Sequence, residues 1–568
     1  MKRIETSVLV VGAGPVGLTT SILLAQQGIE SLVVDRRDGP HRAPQAHVVN
    51  PRSLEIFRQM DLDMEQLRSR ATPREDGSRV RWLTRLDGEE LGSLPYERQG
   101  DENLGFTPTP LLNLSQHLLE PILLDEARTA RGTDTRYRQQ WEALEQDESG
   151  VTSRVRDLAT DEIYEVRSRY VLAADGASSR VRRALGIEMI GPDSLQSFVM
   201  IHFEANLRPV VKDRPAIIYW LLNPDNLCTL VAHDIEKTWV LMHAFDPAKE
   251  SKDHYTKARS AELVRAAIGP EAPTFEVKDT SVWTMTAQIA DRYRSGRVFL
   301  VGDSAHRFPP TGGMGMNTGV QDAHNLCWKL AAVDAGWASP VLLDTYEVER
   351  RPVAQNNADQ SLSNAMKMFD VFAALGLAPD LATSHANFRA ALVDSSARAA
   401  LSNAIANQQE HFDMFGLQLG FRYGAGALVP DGVESPHCEN PVRDFVPALR
   451  SGARLPHAWV MRDGRRASTL DLVARRGLTL ITGRDGANWE HAVARESALP
   501  LTCIVEGRDF LDSDGEWARV SGIRASGAVL VRPDQHVGWH ACALRPNEST
   551  EIAGAVEAVT AKADQVTT

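Results

Sequence analysis

The sequence predicts an α/β protein with a Rossmann-like domain that is assembled from distant segments of the chain. Three observations predict this fold: a glycine-rich turn between two short apolar runs near the N-terminus, an apolar run that ends in Asp175-Gly176, and another that ends in Gly302-Asp303. Apolar runs of this length are typical of parallel strands that are covered on both faces. Open α/β sheets bind ligands at the carboxyl ends of such strands, so the three motifs should meet at one sheet edge.

The first motif is a βαβ unit that contains a dinucleotide fingerprint. It comprises a strand, a helix with a glycine stop and a second strand, over Ser7 to Val11, Leu18 to Gly28 and Ser31 to Val34. The turn after the first strand consists of Gly12, Ala13, Gly14, Pro15, Val16 and Gly17. Its glycines permit a tight turn, a close approach of backbone to a pyrophosphate and close packing of helix on strand. Asp35, at the end of the second strand, is placed to accept hydrogen bonds from a ribose.

The second motif places polar groups where another buried strand ends. Tyr170 to Ala174 predicts the strand, and Asp175 and Gly176 end it ahead of a basic helix that begins near Arg180. Taken alone, this pattern is equally compatible with a plain strand-turn-helix connection that binds nothing.

The third motif suits a large flat ligand. Asp303 follows a strand and could accept hydrogen bonds from a sugar-alcohol chain, and a Pro- and Gly-rich loop from Pro309 to Gly313 brings bare backbone close to the same place. We expect a helix from Asn317, whose unpaired N–H groups and positive end would face the loop. An isoalloxazine ring fits there because reduced flavin carries negative charge near N1 and C2=O.

Composition excludes several classes of protein. A chain of 568 residues should form about two to four domains, and its net charge of −13 argues against a nucleic-acid or anionic-membrane partner. The apolar stretch from Val8 to Ala25 is interrupted by the glycine turn, so we do not expect a membrane anchor. The five cysteines are scattered without a CxxC pair, which favours a reducing cytoplasm and predicts no metal site.

The middle and C-terminal regions differ in character. Three strands with alternating aromatic and aliphatic residues are predicted over Ser197 to Asn206, Ala216 to Leu222 and Thr238 to Phe245. Residues from about 353 to 410 are Ala-rich and helical. Later, Gly477 to Gly483 and Ala528 to Val531 are candidates for buried strands.

In this order the three motifs resemble the class A FAD-dependent aromatic monooxygenases, the para-hydroxybenzoate hydroxylase superfamily. Resemblance to the phenol and polyketide hydroxylase branch comes from two stretches, Asp322 to Leu330 and Asp344 to Pro352. Resemblance to dichlorophenol hydroxylase-type enzymes comes from Ala46-His47 with Arg52 and Glu55, and from Gln418 to Tyr423. The resemblance implies a discontinuous Rossmann-like FAD-binding domain, an inserted antiparallel-sheet substrate domain and a C-terminal thioredoxin-like domain. The expected boundaries are 1–190 (with part of the substrate region at about 80–115), 191–285, 286–410 (which includes a helical segment) and 411–568.

The resemblance also implies which residues hold the cofactor. The ADP portion would be held by the glycine turn with Asp35 and Arg36. The ribityl-phosphate region would be held by Gln116 and by Asp303 with Gly302. The pyrimidine edge of the flavin would meet the backbone of Gly315, Met316 and Asn317. Asp175 would serve both FAD and a transient NADH or NADPH. A second strand-framed glycine fingerprint is absent from the sequence, so the nicotinamide nucleotide would visit and leave.

The implied reaction is NAD(P)H- and O2-dependent hydroxylation of a phenolic ring through a flavin C4a-hydroperoxide. Such a site needs a dry pocket, a proton path and a base. His47 is the first candidate for the base or relay, although a histidine that only hydrogen-bonds backbone or flavin is an equal alternative. Tyr219 is the second candidate, and His47, Tyr219 and Pro309 would line the substrate pocket. Trp220, beside Tyr219, is at least as readily a core residue.

Several functions stay open at this stage. The chain could be a tailoring hydroxylase of a polycyclic aromatic polyketide, or a flavin oxidase or reductase that transfers no oxygen. A flavin halogenase should show a Trp-x-Trp-x-Ile-Pro type motif, which the sequence lacks. A non-enzymatic FAD scaffold would show no substrate-dependent NAD(P)H consumption. The expected partners are a small aromatic substrate and O2, with a homodimer as a further possibility.

Overall fold

The computed structural model describes residues 2–378, 380–495, 499–543 and 548–562. Its strands, in chain order, are β1 (Arg3–Val11), β2 (Ser31–Asp35), β3 (Val48–Val49), β4 (Arg79–Leu83), β5 (Glu90–Pro95), β6 (Leu112–Asn113), β7 (Thr133–Tyr137), β8 (Gln139–Gln146), β9 (Val151–Asp157), β10 (Ile163–Ala173), β11 (Met189–Ile190), β12 (Gln196–Glu204), β13 (Ile218–Leu221), β14 (Cys228–Asp234), β15 (Thr238–Phe245), β16 (Glu276–Met285), β17 (Gln288–Ala290), β18 (Arg294–Ser295), β19 (Val298–Leu300), β20 (His306–Arg307), β21 (Trp459–Arg462), β22 (Arg465–Ser468), β23 (Leu478–Thr482), β24 (Leu501–Val505), β25 (Ala528–Val531) and β26 (Val537–Ala541). Its α-helices are α1 (Pro15–Gln27), α2 (Pro51–Gln59), α3 (Met64–Arg70), α4 (Arg74–Gly77), α5 (Gln116–Thr129), α6 (Arg180–Ala184), α7 (Arg208–Val211), α8 (Lys257–Ile268), α9 (Met314–Asp334), α10 (Thr345–Ala374), α11 (Leu381–Val393), α12 (Ser395–Ala406), α13 (Gln409–Phe412), α14 (Phe415–Gly420), α15 (Ala487–Arg495), α16 (Glu516–Ser521) and α17 (Glu548–Thr560).

A parallel sheet in the order β19-β10-β1-β2-β7 forms the first domain. The last four residues of β1 and all of β2 are buried, as expected for strands covered on both faces. Helix α1 follows β1 directly, ends at the left-handed Gly28, and packs against α5 and α9. Because β10 and β19 come from residues far along the chain, the predicted discontinuous Rossmann-like domain is confirmed.

A second sheet has the order β16-β12-β15-β14-β13-β4-β5. Strands β12 to β16 lie between β10 and β19 in sequence, whereas β4 and β5 come from the segment between β2 and β7. Its neighbours are antiparallel except for β13 and β4, which run parallel. One face packs on α8 through a core that includes Phe203, Tyr219 and Trp239. The other face carries Trp82 and Trp220 and packs on α10 to α13 and the segment around Val48. The inserted sheet therefore has an inner face toward the first domain and an outer face toward α8.

The C-terminal region forms a four-stranded sheet in the order β24-β23-β25-β26. Strands β23 and β24 are parallel, whereas β25 and β26 are antiparallel to their neighbours. With α15 and α17 packed together, this is the predicted thioredoxin-like arrangement. The predicted domain boundaries themselves stay predictions.

Buried ion pairs join the C-terminal region to the first domain. Glu349 on α10 accepts hydrogen bonds from Lys329 on α9 at 2.7 Å and from both terminal nitrogens of Arg532 at 2.8 Å. Glu55 on α2 likewise accepts from Arg454 at 2.6 and 2.8 Å. Charges buried this deeply are stable only when they are paired and hydrogen-bonded. The pairs therefore fix α2, α9 and α10, which carry the site described below.

Helices that are long and apolar enough to cross a membrane are absent from the described ranges. All five cysteines are unpaired, and Cys228 and Cys327 are buried.

Candidate active site

The glycine turn contacts the second motif through backbone. Gly12 has a φ of 108°, and a Cβ at this position would lie 2.2 Å from the carbonyl oxygen of Ala174, the residue before Asp175. A Cβ at Gly17 would lie 1.9 Å from the Gly12 carbonyl oxygen. At Gly14 the surroundings are open, and the nearest atom to such a Cβ would be a guanidinium nitrogen of Arg37 at 4.0 Å. The turn thus packs tightly inward and offers a bare backbone edge outward, as phosphate binding requires.

Asp35 holds this turn in place rather than facing away from it. Its carboxylate accepts from the N–H of Ala13 at 2.7 Å and from the Arg37 backbone and guanidinium at 2.8 to 3.2 Å. Burial alone would raise the Asp35 pKa, but the hydrogen bonds and charge of Arg37 outweigh burial and lower it. These four bonds use the acceptor positions of the carboxylate. Asp35 therefore positions the glycine turn, and its contact with a ribose stays a prediction.

Arg37, and not Arg36, reaches the glycine turn. The Arg36 side chain is exposed and makes no hydrogen bond or ion pair with any described residue. Arg37 also donates to the buried Glu120 on α5 at 3.3 Å, and Glu120 in turn accepts from the Gln116 amide at 2.7 Å. Gln116 is thereby fixed at the start of α5, where its backbone N–H donates to the Ala46 carbonyl at 2.7 Å.

Asp175 caps the short helix α6. Its carboxylate accepts from the Ser179 hydroxyl and from the N–H groups of Arg180 and Val181 at 2.7 and 3.2 Å. Burial raises the Asp175 pKa, and these hydrogen bonds only partly oppose it. Arg182, on the same helix, donates to the Ser304 carbonyl at 3.0 Å. The second motif therefore joins the glycine turn to the third motif, and ligand contact from the Asp175 side chain stays a prediction.

The third motif contains two neighbouring carboxylates that differ in their hydrogen-bond partners. Asp322 on α9 is fully buried and accepts from His306 at 2.6 Å, from Arg350 at 2.7 Å and from the Gly302 N–H at 3.2 Å. Burial would raise its pKa, but His306 and Arg350 outweigh burial and lower it. The Asp303 side chain is exposed and accepts no hydrogen bond from the described part of the chain. Asp303 is thus free to accept sugar-alcohol hydroxyls, while Asp322 holds the strand end.

Helix α9 begins at Met314, one turn before the predicted start at Asn317. Gly313, with a φ of 64°, is its N-cap, so the loop turns into the helix earlier than the apolar spacing suggested. The Asn317 side chain donates to the Val48 carbonyl at 2.9 Å and accepts from the Asn50 N–H at 3.0 Å. The N–H groups of Met314, Gly315 and Met316 have no acceptor within the helix. They form the positive end of the helix. This helix end lies next to Asp303, because a Cβ at Gly315 would be 3.9 Å from the Oδ1 of Asp303.

His47 precedes β3, next to the loop that leads into α9. A Cβ at Gly313 would lie 2.6 Å from the Cβ of Val48, so His47 is one residue from this contact. The His47 Nε2 shares a hydrogen bond of 3.1 Å with the Tyr96 hydroxyl, and its ring meets His233 edge to face. Burial lowers the pKa of His47 to about 4. At this pKa the imidazole is neutral near pH 7 and can donate one hydrogen bond and accept another, and its role as base or relay stays a prediction.

Tyr219 lies on the wrong face of the inserted sheet for the predicted catalytic and pocket roles. Its hydroxyl donates to the Arg214 carbonyl at 3.1 Å, and its ring packs on Trp239 in the outer core below α8. Successive strand residues point to opposite faces, so Trp220 faces inward, where it meets His411. Tyr96, which sequence reasoning missed, takes the position beside His47.

Pro309 is buried in the loop between β20 and α9. The neighbouring Phe308 stacks on His306 with ring centroids 4.8 Å apart. The loop is thereby attached to the Asp322 network, and the contact of Pro309 with substrate stays a prediction.

These groups fit an FAD molecule. The glycine turn with Arg37 suits a pyrophosphate, the free Asp303 carboxylate suits a ribityl chain, and the unpaired N–H groups of α9 suit the electron-rich pyrimidine edge of a flavin. Each group lies at or beside the carboxyl end of a strand of the parallel sheet, as expected for an open α/β sheet.

Comparisons with known proteins agree with this geometry. A family model described as an FAD binding domain matches residues 5–361, and one described as the C-terminal part of aromatic-ring hydroxylases matches residues 449–563. The 2,4-dichlorophenol 6-monooxygenase of Delftia acidovorans is 36% identical over 580 residues, which cover 98% of either chain. The tetracenomycin A2 monooxygenase-dioxygenase of Streptomyces glaucescens is 33% identical and covers 99% of this chain and 98% of its own.

A solved structure extends the agreement to three dimensions. The crystal structure of the flavin-dependent monooxygenase PieE in complex with FAD and substrate matches with a TM-score of 0.92 at 33% identity, over 99% of this chain and all of that chain. The predicted fold, cofactor and resemblance are confirmed by these matches. The chain therefore belongs to the class A FAD-dependent aromatic monooxygenases.

Proposed function

We propose that this enzyme uses NAD(P)H and O2 to hydroxylate a phenolic ring. The observation that carries the proposal is the neutral His47–Tyr96 pair at 3.1 Å, which stands beside the loop and helix end that suit a flavin. A phenol becomes electron-rich when it loses its proton, and this pair offers a route for that proton.

The glycine turn, Asp303 and the first turn of α9 would hold FAD, which would supply the redox chemistry that links NAD(P)H and O2 to the ring. The chain's own residues prepare the site for this chemistry. Asp322, His306 and Arg350 hold the strand end at Gly302, and the first turn of α9 directs unpaired N–H groups toward negative charge. Trp82 and Phe412, which meet edge to face, make the inner face apolar and exclude water.

A small phenol is the substrate class that we propose first. The 2,4-dichlorophenol 6-monooxygenase of Delftia acidovorans is named for such a substrate and aligns with almost the whole chain. A polycyclic aromatic polyketide is the second candidate substrate, because tetracenomycin A2 monooxygenase-dioxygenase aligns over the same length. The ternary complex of aklavinone-11 hydroxylase with FAD and aklavinone also supports it, with a TM-score of 0.82.

The test is a substrate panel with the purified yellow protein. Simple phenols, chlorophenols and a polycyclic phenol are offered with NADH or NADPH, and cofactor oxidation, peroxide release and product mass are followed together. We expect phenol-stimulated NAD(P)H oxidation and a product heavier by one oxygen atom. Oxidation that no phenol stimulates, with every ring unchanged, would instead identify an oxidase or reductase.

A further inference from the structure

A buried carboxyl group and a buried amide group are joined by a hydrogen bond next to Tyr96. Glu97, which follows β5, is 8% exposed, and Gln418 on α14 is 1% exposed. The Gln418 Nε2 donates to the Glu97 Oε2 at 3.0 Å. The remaining oxygen of each group, Oε1 in both residues, is buried and has no hydrogen-bond partner among the described residues. Buried oxygens without a partner are costly, so this arrangement lacks a hydrogen.

One proton on Glu97 would satisfy both of these oxygens. A carboxylic acid and a primary amide can pair through two hydrogen bonds, because the amide N–H donates to the acid carbonyl and the acid O–H donates to the amide carbonyl. The 3.0 Å bond is the first of these two. The second forms when the Oε1 of Glu97 carries a proton. An ionised Glu97 has only acceptor oxygens and leaves the Gln418 carbonyl without a donor.

The charges that face Glu97 also favour the protonated form. Its only hydrogen bonds to side chains or backbone amides as an acceptor, within the described ranges, come from Gln418 and from the Met414 N–H at 3.5 Å, so no cation is paired with it. Asp413 opposes a second negative charge, and Arg98 donates to Asp413 at 3.0 Å. Burial, aided by Asp413 and opposed by Arg98 and the hydrogen bonds, raises the pKa of Glu97 to about 8.

Glu97 connects Tyr96 to the segment that contains α13 and α14. The Glu97 N–H donates to the Phe412 carbonyl at 2.7 Å, and the Phe412 ring contacts the Tyr96 ring with centroids 6.1 Å apart. The φ of Glu97 is 51°, which lies in the left-handed region that a glutamate rarely adopts. Such a backbone persists only where its surroundings hold it. The bond to Gln418 is therefore one of the contacts that orient Tyr96 toward His47.

We propose that Glu97 is a protonated carboxylic acid in the working enzyme, and that its two-bond bridge to Gln418 positions Tyr96 beside His47. This inference rests on the proposed function, in which the Tyr96–His47 pair takes the phenol proton. Glu97 acts through Tyr96 and is a positioning residue. When Glu97 loses its proton at alkaline pH, the two Oε1 atoms repel each other, the bridge opens and the Tyr96 hydroxyl moves away from His47.

Infrared difference spectroscopy tests the protonation state without turnover. Spectra of the FAD-loaded wild type and of Glu97→Gln are compared at about pH 6 and about pH 10, on either side of the Glu97 pKa. We expect the difference spectrum at the lower pH to show the C=O stretch of one protonated carboxyl group, and this band should disappear at the higher pH. Gln418→Leu should shift the band, because it removes both hydrogen bonds of the acid.

The pH profile of hydroxylation tests the positioning role. Glu97→Ala should slow product formation at pH 7 by about tenfold to a hundredfold, because a misplacement of about 1 Å can cost about 10²-fold in rate. Glu97→Gln can form the same two bonds through its own amide, so it should recover most of this loss. Above about pH 8 the wild-type rate should fall about tenfold per pH unit relative to Glu97→Gln, because the protonated fraction of Glu97 falls by that factor.

Neighbouring groups do not account for this difference. Burial raises the pKa of Tyr96 well above its usual value and lowers the pKa of His47 to about 4, so neither titrates near pH 8. Ionisation of the phenol itself affects the wild type and Glu97→Gln equally. Glu102→Gln is the matched control, because Glu102 is exposed in the same segment and should give the wild-type band and profile.

The outcomes separate this inference from the proposed function. Phenol hydroxylation with no acid band, or with the same alkaline fall in Glu97→Gln as in the wild type, would overturn the inference and leave the proposed function intact. A wild-type enzyme that hydroxylates no phenol would overturn the proposed function and the role of Tyr96, and the infrared band would still decide whether Glu97 is protonated.

Discussion

Asp303 and Asp322 make opposite contributions, and matched alanine substitutions should separate them. Asp322 is fully buried and bonded to Arg350, His306 and the Gly302 N–H, whereas Asp303 is exposed and free of protein donors in the described structure. Asp322→Ala would leave the buried Arg350 guanidinium without its charge partner. Breaking a buried pair in this way costs about 3 to 5 kcal/mol.

Asp303→Ala removes no hydrogen bond or ion pair of the described residues, so the free energy of unfolding should change by less than about 0.5 kcal/mol. Its effect should fall on FAD, because hydrogen bonds to a charged group contribute about 1.5 to 3 kcal/mol, or roughly tenfold to a hundredfold in Kd. The assays are urea unfolding of the FAD-free proteins at pH 7 and fluorescence titration with FAD.

The pH of this comparison matters because the Asp322 pKa is lowered in the folded state. The stability that Asp322 contributes is present above its unfolded pKa and is lost as the pH falls through the folded value. At pH 7 the contribution is complete. An Asp322→Ala protein that unfolds at the wild-type urea concentration, or an Asp303→Ala protein with wild-type affinity for FAD, would refute the separation of roles.

Three further predictions concern neighbouring residues. Gly12→Ala should yield protein with little bound FAD, because the new Cβ would lie 2.2 Å from the Ala174 carbonyl oxygen at a residue whose φ is 108°. Absorbance at the flavin bands measures the bound FAD, and a variant as yellow as the wild type would contradict the expectation. Tyr219→Phe should keep hydroxylation and lower the free energy of unfolding by about 1 kcal/mol, whereas Tyr96→Phe should slow the phenol-dependent step. Equal rate losses of the two variants in product-formation assays would contradict the assignment of Tyr219 to the outer face of the inserted sheet. Burial raises the pKa of Glu97 to about 8. The contribution of Glu97 to stability should therefore be complete below about pH 4.5 and fall by about 1.4 kcal/mol per pH unit as the pH rises to 8. Glu97→Gln should make Tm depend less on pH over this range, and an unchanged slope would contradict this expectation.

Local sequence was sufficient for the elements that carry the cofactor. The run from Ser7 to Asp35 contains a strand, a turn, a helix and a strand in 29 residues, and each is specified by neighbours in the chain. Asp303 could also be predicted, because it lies three residues after the buried strand β19. Arg37 could not be predicted from strand parity, because β2 ends at Asp35 and the chain bends over residues 36 to 40.

The residues around the substrate depend on contacts that local pattern does not specify. Tyr96 is 49 positions from His47, and His233 is 186 positions away on a different strand. The sequence pattern identifies the strand that carries Tyr219 but does not show which face of that strand points inward. A shift of one residue exchanges Tyr219 for Trp220, and only the packing of α8 on one face and α10 on the other decides between them.

Titration of the purified, FAD-stripped protein with FAD, followed by the flavin absorption spectrum, tests the central claim most directly. If the glycine turn, Asp303 and the start of α9 form one binding surface, the spectrum should shift and saturate at one FAD per chain, and Gly12→Ala should abolish the shift. A native, folded protein whose FAD spectrum stays that of free FAD would contradict the assignment of this site.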